Sequence, residues 1–384
     1  MKQLLSLLAF AFLLVGVTTG AAPAQVQTTP ARAAILIDMT SGAVLLEKNA
    51  DEPLPPASMS KLMTLYLVFE AIENGRVSLK DSFRTSAYAA SLGGSKMFIR
   101  DGEVVSIEDL LRGVIVQSGN DAAVALAEAL AGTETAFADL MNQRAPELGL
   151  TNSHFANSTG WPDPGQYMSA RDLATLGMRI IEDFPQYYPM FSEKEFTWDG
   201  ITQGNRNPLL EAGVGGDGLK TGHTEEAGYG LVASAKRGER RILLVVTGLD
   251  DANQRRRETE RLINWGFRAF DTKTLFPVGA PVAQADVWIG SRDTVPLSPL
   301  RDVIVTAPLG ALEHARLTVH YDGPVTAPID QGQPIGRIEI ALPDLPVQAM
   351  PLVAAENVAE GGFLARIQAA ATLLLRRAMS AAEG

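Results

Sequence analysis

The chain contains no cysteine. That removes disulfide staples, thiol catalysis and thiolate metal sites at once, so the fold must be held by its core. Histidine is scarce: His154, His223, His314 and His320 are the whole set, and none has metal-ligand spacing. Basic residues are outnumbered, 33 Lys and Arg against 44 Asp and Glu, leaving a net charge of −11. With that balance nothing neutralises phosphates in bulk, which argues against a nucleic-acid partner. The apolar run Leu4–Val17 falls short of the ~20 residues a spanning helix needs. Lys2 before it and Ala22-Pro23-Ala24 after it give the layout of a signal peptide, so residues 1–24 are expected to be cut off and the protein exported. Such a chain is expected to work without metal or cofactor.

What is present is ample for two domains: 384 residues, 46% of them apolar. Ala33-Ala34-Ile35-Leu36-Ile37-Asp38 and Ala43-Val44-Leu45-Leu46-Glu47 flank Thr40-Ser41-Gly42 and read as a β-hairpin. From Ser58, apolar residues at Leu62, Leu65, Phe69 and Ile72 keep a helical period to a stop at Gly75. Helices are expected over 107–116 and 121–131, with Asn120 or Asp121 capping the second, and over 169–181. Gly228 to Gly248 reads as two strands about Lys236-Arg237-Gly238-Glu239, followed by a helix from about Arg257 to Phe270. Composition shifts near Thr272. Eleven of the 22 prolines lie between Pro277 and Pro351, a density that forbids long helices and suits a small β-rich domain. Its strands are read at Val303-Ile304-Val305, Leu317-Thr318-Val319, Ile335 and Ile338-Glu339-Ile340. Over 362–379, Phe363, Ile367, Ala370, Leu374 and Ala378 form one stripe beside arginines. Periodicity alone fits a helix lying in a membrane surface and one docked on the protein's own body equally well.

Three short motifs carry chemistry. Ser58-Met59-Ser60-Lys61 is an S-x-x-K at a helix start, where residues three apart share a face and the lysine reaches the hydroxyl. A serine hydroxyl needs a base to become a nucleophile. Lysine serves only if its charged form is disfavoured by burial or by a nearby cation. The helix N-terminus beside Ser58 also offers free N–H groups to a developing oxyanion. Ser118-Gly119-Asn120 is an S-x-N on a helix–helix turn, with a second hydroxyl to relay protons and an amide to hold a substrate carbonyl and the lysine. Lys220-Thr221-Gly222 is a K-T-G opening a strand; it supplies a second cation, a hydroxyl for a carboxylate, and a glycine for close backbone approach. Singly each is weak, since a cap with a solvated lysine is the commoner use of S-x-x-K. Each occurs once, in this order, and the set is the signature of β-lactamases and penicillin-binding proteins.

The chain thus resembles the low-molecular-mass penicillin-binding proteins that act as D-alanyl-D-alanine carboxypeptidases. The likeness runs over roughly residues 30 to 275 and includes Val116-Gln117-Ser118-Gly119-Asn120-Asp121-Ala122, Gln166-Tyr167-Met168-Ser169-Ala170-Arg171-Asp172, Asn205-Arg206-Asn207, Lys220-Thr221-Gly222-His223-Thr224, Ala227-Gly228-Tyr229 and Trp265-Gly266-Phe267. It implies an α/β fold: a β-lactamase/transpeptidase-like domain, a sheet flanked by a helical cluster, over 27–275. A small β-rich domain (276–358) and an amphipathic membrane-surface helix (360–384) follow. It implies Ser58 as acylated nucleophile, Lys61 as base, and Ser118 and Asn120 on the proton path and in substrate positioning. The backbone N–H groups of Ser58 and His223 would form the oxyanion hole, and Lys220, Thr221 and Gly222 would bind substrate.

In that family an arginine in a G-R-E segment, 35 positions after the K-T-G lysine, meets the terminal carboxylate. Arg255 stands at that distance, but the glycine is missing and Arg256 and Arg257 compete. A planar bidentate donor suits a carboxylate whichever serves, and a solvated basic turn is the bland alternative. The implied substrate is the peptidoglycan stem pentapeptide, β-lactams are the implied inhibitors, and the implied location is the periplasm at the outer face of the cytoplasmic membrane. Two rival readings are a β-lactamase and a non-catalytic wall-binding protein. The first lacks a Glu-x-x-Leu-Asn carboxylate between S-x-N and K-T-G, since Glu193 and Glu195 sit in another context; the second has no use for Lys61 or Ser118.

Overall fold

The computed structural model describes residues 27–363 and residue 367. The expected signal peptide and nearly all of the C-terminal amphipathic segment lie outside the described residues. Among those described, no helix is long and apolar enough to cross a membrane.

The chain opens with β1 (Ala33–Asp38) and β2 (Ala43–Lys48), then folds α1 (Lys61–Glu73), β3 (Ser82–Arg84), α2 (Ala87–Ser91), β4 (Val104–Ser106), α3 (Ile107–Ile115), α4 (Asn120–Ala131), α5 (Glu134–Arg144) and α6 (Ala170–Asp183). A hairpin, β5 (Glu195–Trp198) and β6 (Ile201–Gly204), leads to three long strands, β7 (Gly216–Thr224), β8 (Gly228–Arg237) and β9 (Arg240–Leu249), and to α7 (Ala252–Ala269). The main sheet is antiparallel, ordered β2-β1-β9-β8-β7, so the first and last strands of this part of the chain lie side by side.

Both faces of that sheet are covered, which is why β1 reads as an unbroken apolar run and is buried throughout. Strand alternation sorts its residues: Ala33, Ile35 and Ile37 join the helical core with Leu62, Leu65 and Phe69, whereas Ala34 and Leu36 join the opposite core with Leu262 and Ile263 of α7. Helix starts follow capping chemistry: Ser106, Thr133, Ser169 and Asp251 each accept the backbone N–H three residues on. The Asp251 cap moves the start of α7 ahead of the expected Arg257, so Arg255 sits on a helix rather than a turn.

Strand β10 (Phe270–Phe276) runs across the expected break at 276 and pairs with β13 (Val303–Pro308). With β11 (Ala283–Trp288), β12 (Thr294–Pro299), β14 (Arg316–Tyr321), β15 (Val325–Thr326), β16 (Pro334–Ala341) and β17 (Gln348–Ala354), it builds a β-rich domain around two apolar clusters of its own. Its six-stranded sheet runs β14-β16-β17-β12-β11-β15.

Candidate active site

Ser58 lies in a single 3-10 turn, Ala57–Ser60, that runs into α1, so the α-helix begins at Lys61 rather than at Ser58. The tighter turn keeps the spacing useful, because residues three apart eclipse in 3-10 geometry. Lys61 is fully buried, and its Nζ is 2.9 Å from Ser58 Oγ, 2.7 Å from Asn120 Oδ1 and 2.6 Å from the Thr159 carbonyl. Burial, and then the Arg206 cation, pull its pKa from the usual lysine range down to about 7.

Ser118 occupies the turn between α3 and α4 with φ +60°, a left-handed conformation that a serine holds only when its surroundings enforce it. Lys220, also buried, donates to Ser118 Oγ at 2.8 Å. Burial first, then the cations of Lys61, Arg206 and Arg255, depress its pKa well below the ordinary value. The expected Asn120 or Asp121 cap is not what starts α4: Gly119 holds the cap position and no side chain caps it. Asn120 turns inward, its Nδ2 donating to Gly93 O at 2.8 Å, which fixes Oδ1 toward Lys61. The Asp121 carboxylate accepts from the backbone N–H groups of Met97, Phe98 and Ile99.

Lys220-Thr221-Gly222 lies in the second half of β7 instead of opening it, because pairing with β8 extends the strand back to Gly216. Strand β7 is the sheet edge beside the Ser58 turn. A Cβ on Gly222 would lie 2.9 Å from Pro56 O and 3.2 Å from Met59 N, so only glycine lets the strand pass this close. His223 is exposed and stacks on Tyr229, with centroids 3.8 Å apart.

Of the three competing arginines, Arg256 pairs with Glu260 at the surface and Arg257 is exposed. Arg255 is buried and lies 5.5 Å over the Tyr229 ring; among the described residues it reaches only Gly230 O at 3.5 Å, and its Nε has no partner. Arg206, quoted in the family likeness without a role, adds a fourth cation and donates to Ser95 Oγ at 2.5 Å. None of Lys61, Lys220, Arg206 and Arg255 forms an ion pair among the described residues. Lys220, Arg206 and Arg255, without a carboxylate in contact among the described residues, make a site for an anion, set beside a hydroxyl with Lys61 to deprotonate it.

The family model for D-alanyl-D-alanine carboxypeptidases matches residues 18–251. The chain belongs to that family. A second model, for the C-terminal domain of penicillin-binding protein 5, matches residues 270–360. The D-alanyl-D-alanine carboxypeptidase DacC of Escherichia coli (strain K12) is 42% identical over 368 residues, 93% of this chain and 92% of that protein. DacF of Bacillus subtilis (strain 168), of the same description, is 34% identical over 87% of each chain. Among solved structures, penicillin-binding protein 5 of Haemophilus influenzae superposes with a TM-score of 0.82 at 37% identity, over 89% of this chain and 100% of the other. Penicillin-binding protein D2 of Listeria monocytogenes in its ampicillin-bound form aligns with a TM-score of 0.58 at 33% identity, over 62% of this chain and 98% of its own. The carboxypeptidase family fold therefore spans both domains described above.

Proposed function

We propose that the chain is a serine-type D-alanyl-D-alanine carboxypeptidase that removes the terminal D-alanine of the peptidoglycan stem pentapeptide and is trapped by penicillins. The observation that carries this reading is the buried Lys61 amine 2.9 Å from Ser58 Oγ, its pKa brought to about 7. Near neutrality a large share of that lysine is unprotonated and able to take the serine's proton. Ser58 Oγ then bonds to the carbonyl carbon of the penultimate D-alanine, while the backbone N–H groups of Ser58 and His223 receive the negative charge on its oxygen. The proton that Lys61 took is relayed through Ser118, held by Lys220, to the departing amine as the C–N bond breaks, leaving an acyl-enzyme that water hydrolyses and Lys61 free again as a base. Asn120 holds the substrate's amide and Lys61. Lys220, Thr221 and Arg255 receive the terminal carboxylate, a bidentate donor and a cation meeting an anion.

A β-lactam follows the same path, except that its opened ring stays tethered and no leaving group departs. The relative solved with ampicillin bound supports this reading. The signal-peptide layout supports a location outside the cytoplasmic membrane, and the amphipathic pattern of 362–379 supports contact with that membrane's surface.

The test is Ser58→Ala assayed by mass spectrometry on pentapeptide and on penicillin-treated protein. The expected outcome is loss of both D-alanine release and the covalent adduct. Persistence of either sinks the reading, and rapid sustained penicillin turnover by the wild type would make the protein a lactamase instead.

A further inference from the structure

The carbonyl that receives the shortest of Lys61's three contacts belongs to Thr159, in a loop (154–161) that no catalytic motif covers. From the geometry of that loop we infer that Asn157 is a positioning residue for the acylation step, aiming the Thr159 carbonyl and through it the lone pair of Lys61. The inference rests on the reading of Lys61 as the base.

Asn157 Oδ1 accepts from Thr159 N at 3.1 Å, Thr159 Oγ1 at 2.9 Å, Gly160 N at 2.8 Å and Trp161 N at 3.1 Å, while its Nδ2 donates to Trp161 O at 3.0 Å. The Gly160 N–H and the Thr159 C=O belong to one planar peptide unit and point opposite ways. Holding the N–H on Asn157 therefore drives the C=O toward Lys61 Nζ, 2.6 Å away. Gly160, at φ +76°, lets this unit press against the turn that bears the nucleophile: a Cβ there would lie 1.9 Å from Ala57 O. Glycine also leaves the peptide free to flip, so the anchor must come from elsewhere.

A neutral amine has two hydrogens and one lone pair. Asn120 Oδ1 and the Thr159 carbonyl are pure acceptors and take the hydrogens, which leaves the lone pair for the Ser58 hydroxyl. With one acceptor turned away, a hydrogen can face Ser58 and the amine no longer accepts the serine's proton. The rest of the loop has separate supports. Glu134 accepts from Ser158 N and Oγ, Thr64 Oγ1 donates to Ser158 O, and Gln166 Oε1 accepts from Ala156 N and Asn157 N. Removing the Asn157 amide thus loosens 159–161 without unseating the loop.

The test compares Asn157→Ala and Asn157→Asp in penicillin acylation and D-alanine release across pH. Asp keeps the oxygen that the three N–H groups need. At pH 9, Asn157→Ala is expected to lose about 10- to 100-fold in kcat with KM little changed, and Asn157→Asp to stay within about threefold of wild type. The charges facing Lys61 are Lys220 on β7, Arg206 ahead of the β7 strand, Asp121 on α4 and Glu134 on α5. Against that fixed background, losing a carbonyl that favours the ammonium moves the acid limb of the rate profile down in Asn157→Ala. A new carboxylate moves it up in Asn157→Asp. An Asn157→Ala enzyme that acylates like wild type, an Asp variant as slow as the Ala variant, or an effect confined to KM would overturn the inference. Lys61→Ala run alongside separates the two levels: if it still acylates, the reading of Lys61 as base fails. If it is dead while Asn157→Ala is normal, only the positioning role fails.

Discussion

Lys61 is placed where a charged lysine is least at home, fully buried and near a second buried lysine and the Arg206 cation. Its depressed pKa makes it a base, and the same depression ties stability to pH. In the unfolded chain the amine stays protonated up to about pH 10.4; in the folded protein it releases its proton near pH 7. Between those values the unfolded state binds the extra proton, so stability rises with pH by about 1.4 kcal/mol per pH unit for this one group. Below pH 7 both states are protonated and the full penalty of burying the charge applies. Lys61→Met removes that slope. In urea unfolding at pH 7.5 and pH 9.0, the wild type is expected to gain about 2 kcal/mol more than Lys61→Met. Parallel profiles for the two proteins would show that the lysine is not buried in its neutral form. The variant's loss of acylation adds nothing to this test, because the readout is stability alone.

At the scale of elements, the site is a meeting of the Ser58 turn, the α3–α4 turn and strand β7, and one buried carboxylate holds the middle one in register. Asp121 is inaccessible and accepts three backbone N–H groups from 97–99, at 2.8, 2.8 and 3.3 Å, beside the Gly93 carbonyl and Ser95 that hold Asn120 and Arg206. Asp121→Ala strands those donors in the interior, at an expected cost of about 2–4 kcal/mol in chemical denaturation. Acylation should fall with it, since Asn120 shares the same turn; a change below about 1 kcal/mol would mean the three bonds are dispensable. Sequence could not announce this role, because the partners of Asp121 lie 22 to 24 residues away and local pattern offered only a helix cap. Elements with a strong period were legible: β1, β2, α1, α3 and α6 sit where alternation or helical spacing put them. Strand β7 extends further back than its sequence suggests, because Gly216-Asp217-Gly218 has no strand propensity and is held by pairing with β8. The β5–β6 hairpin is signalled in the sequence by little more than Asp199-Gly200, the turn at its tip. In the site itself the side chains of three motifs could be read, whereas the Thr159 carbonyl could not, since a backbone acceptor carries no sequence letter.

Across the whole molecule, the two domains are joined through a charge buried at their seam. Asp38 ends β1 with no exposure; Arg240 Nε meets its carboxylate at 2.6 Å and Thr272 Oγ1 donates to it at 2.9 Å. The same guanidinium donates to Gly266 O at 3.1 Å and Phe270 O at 2.8 Å, where α7 passes into β10, and lies over the Phe267 ring. Ser41 and Thr306 add a hydroxyl pair at 2.6 Å across the same boundary. One arginine thus ties the first strand of the sheet to the chain segment that becomes the β-rich domain. Removing it leaves Asp38 buried and uncompensated, which costs about 3–5 kcal/mol where a buried pair is broken from one side. For Arg240→Ala the expected result is a lower melting temperature together with faster proteolytic cleavage near Phe270, releasing the β-rich domain as a fragment. Ser58 acylation by penicillin should persist below the new melting temperature, because Arg240 touches none of the four site cations. If Arg240→Ala melted as one unit at the wild-type temperature and resisted cleavage, the seam would be held by apolar contact and the ion pair would be incidental. Asp38→Asn separates the remaining possibility. It removes the buried charge while keeping an acceptor for Arg240 and Thr272, so it should lose less stability than Arg240→Ala if the unpaired carboxylate is what destabilises the junction.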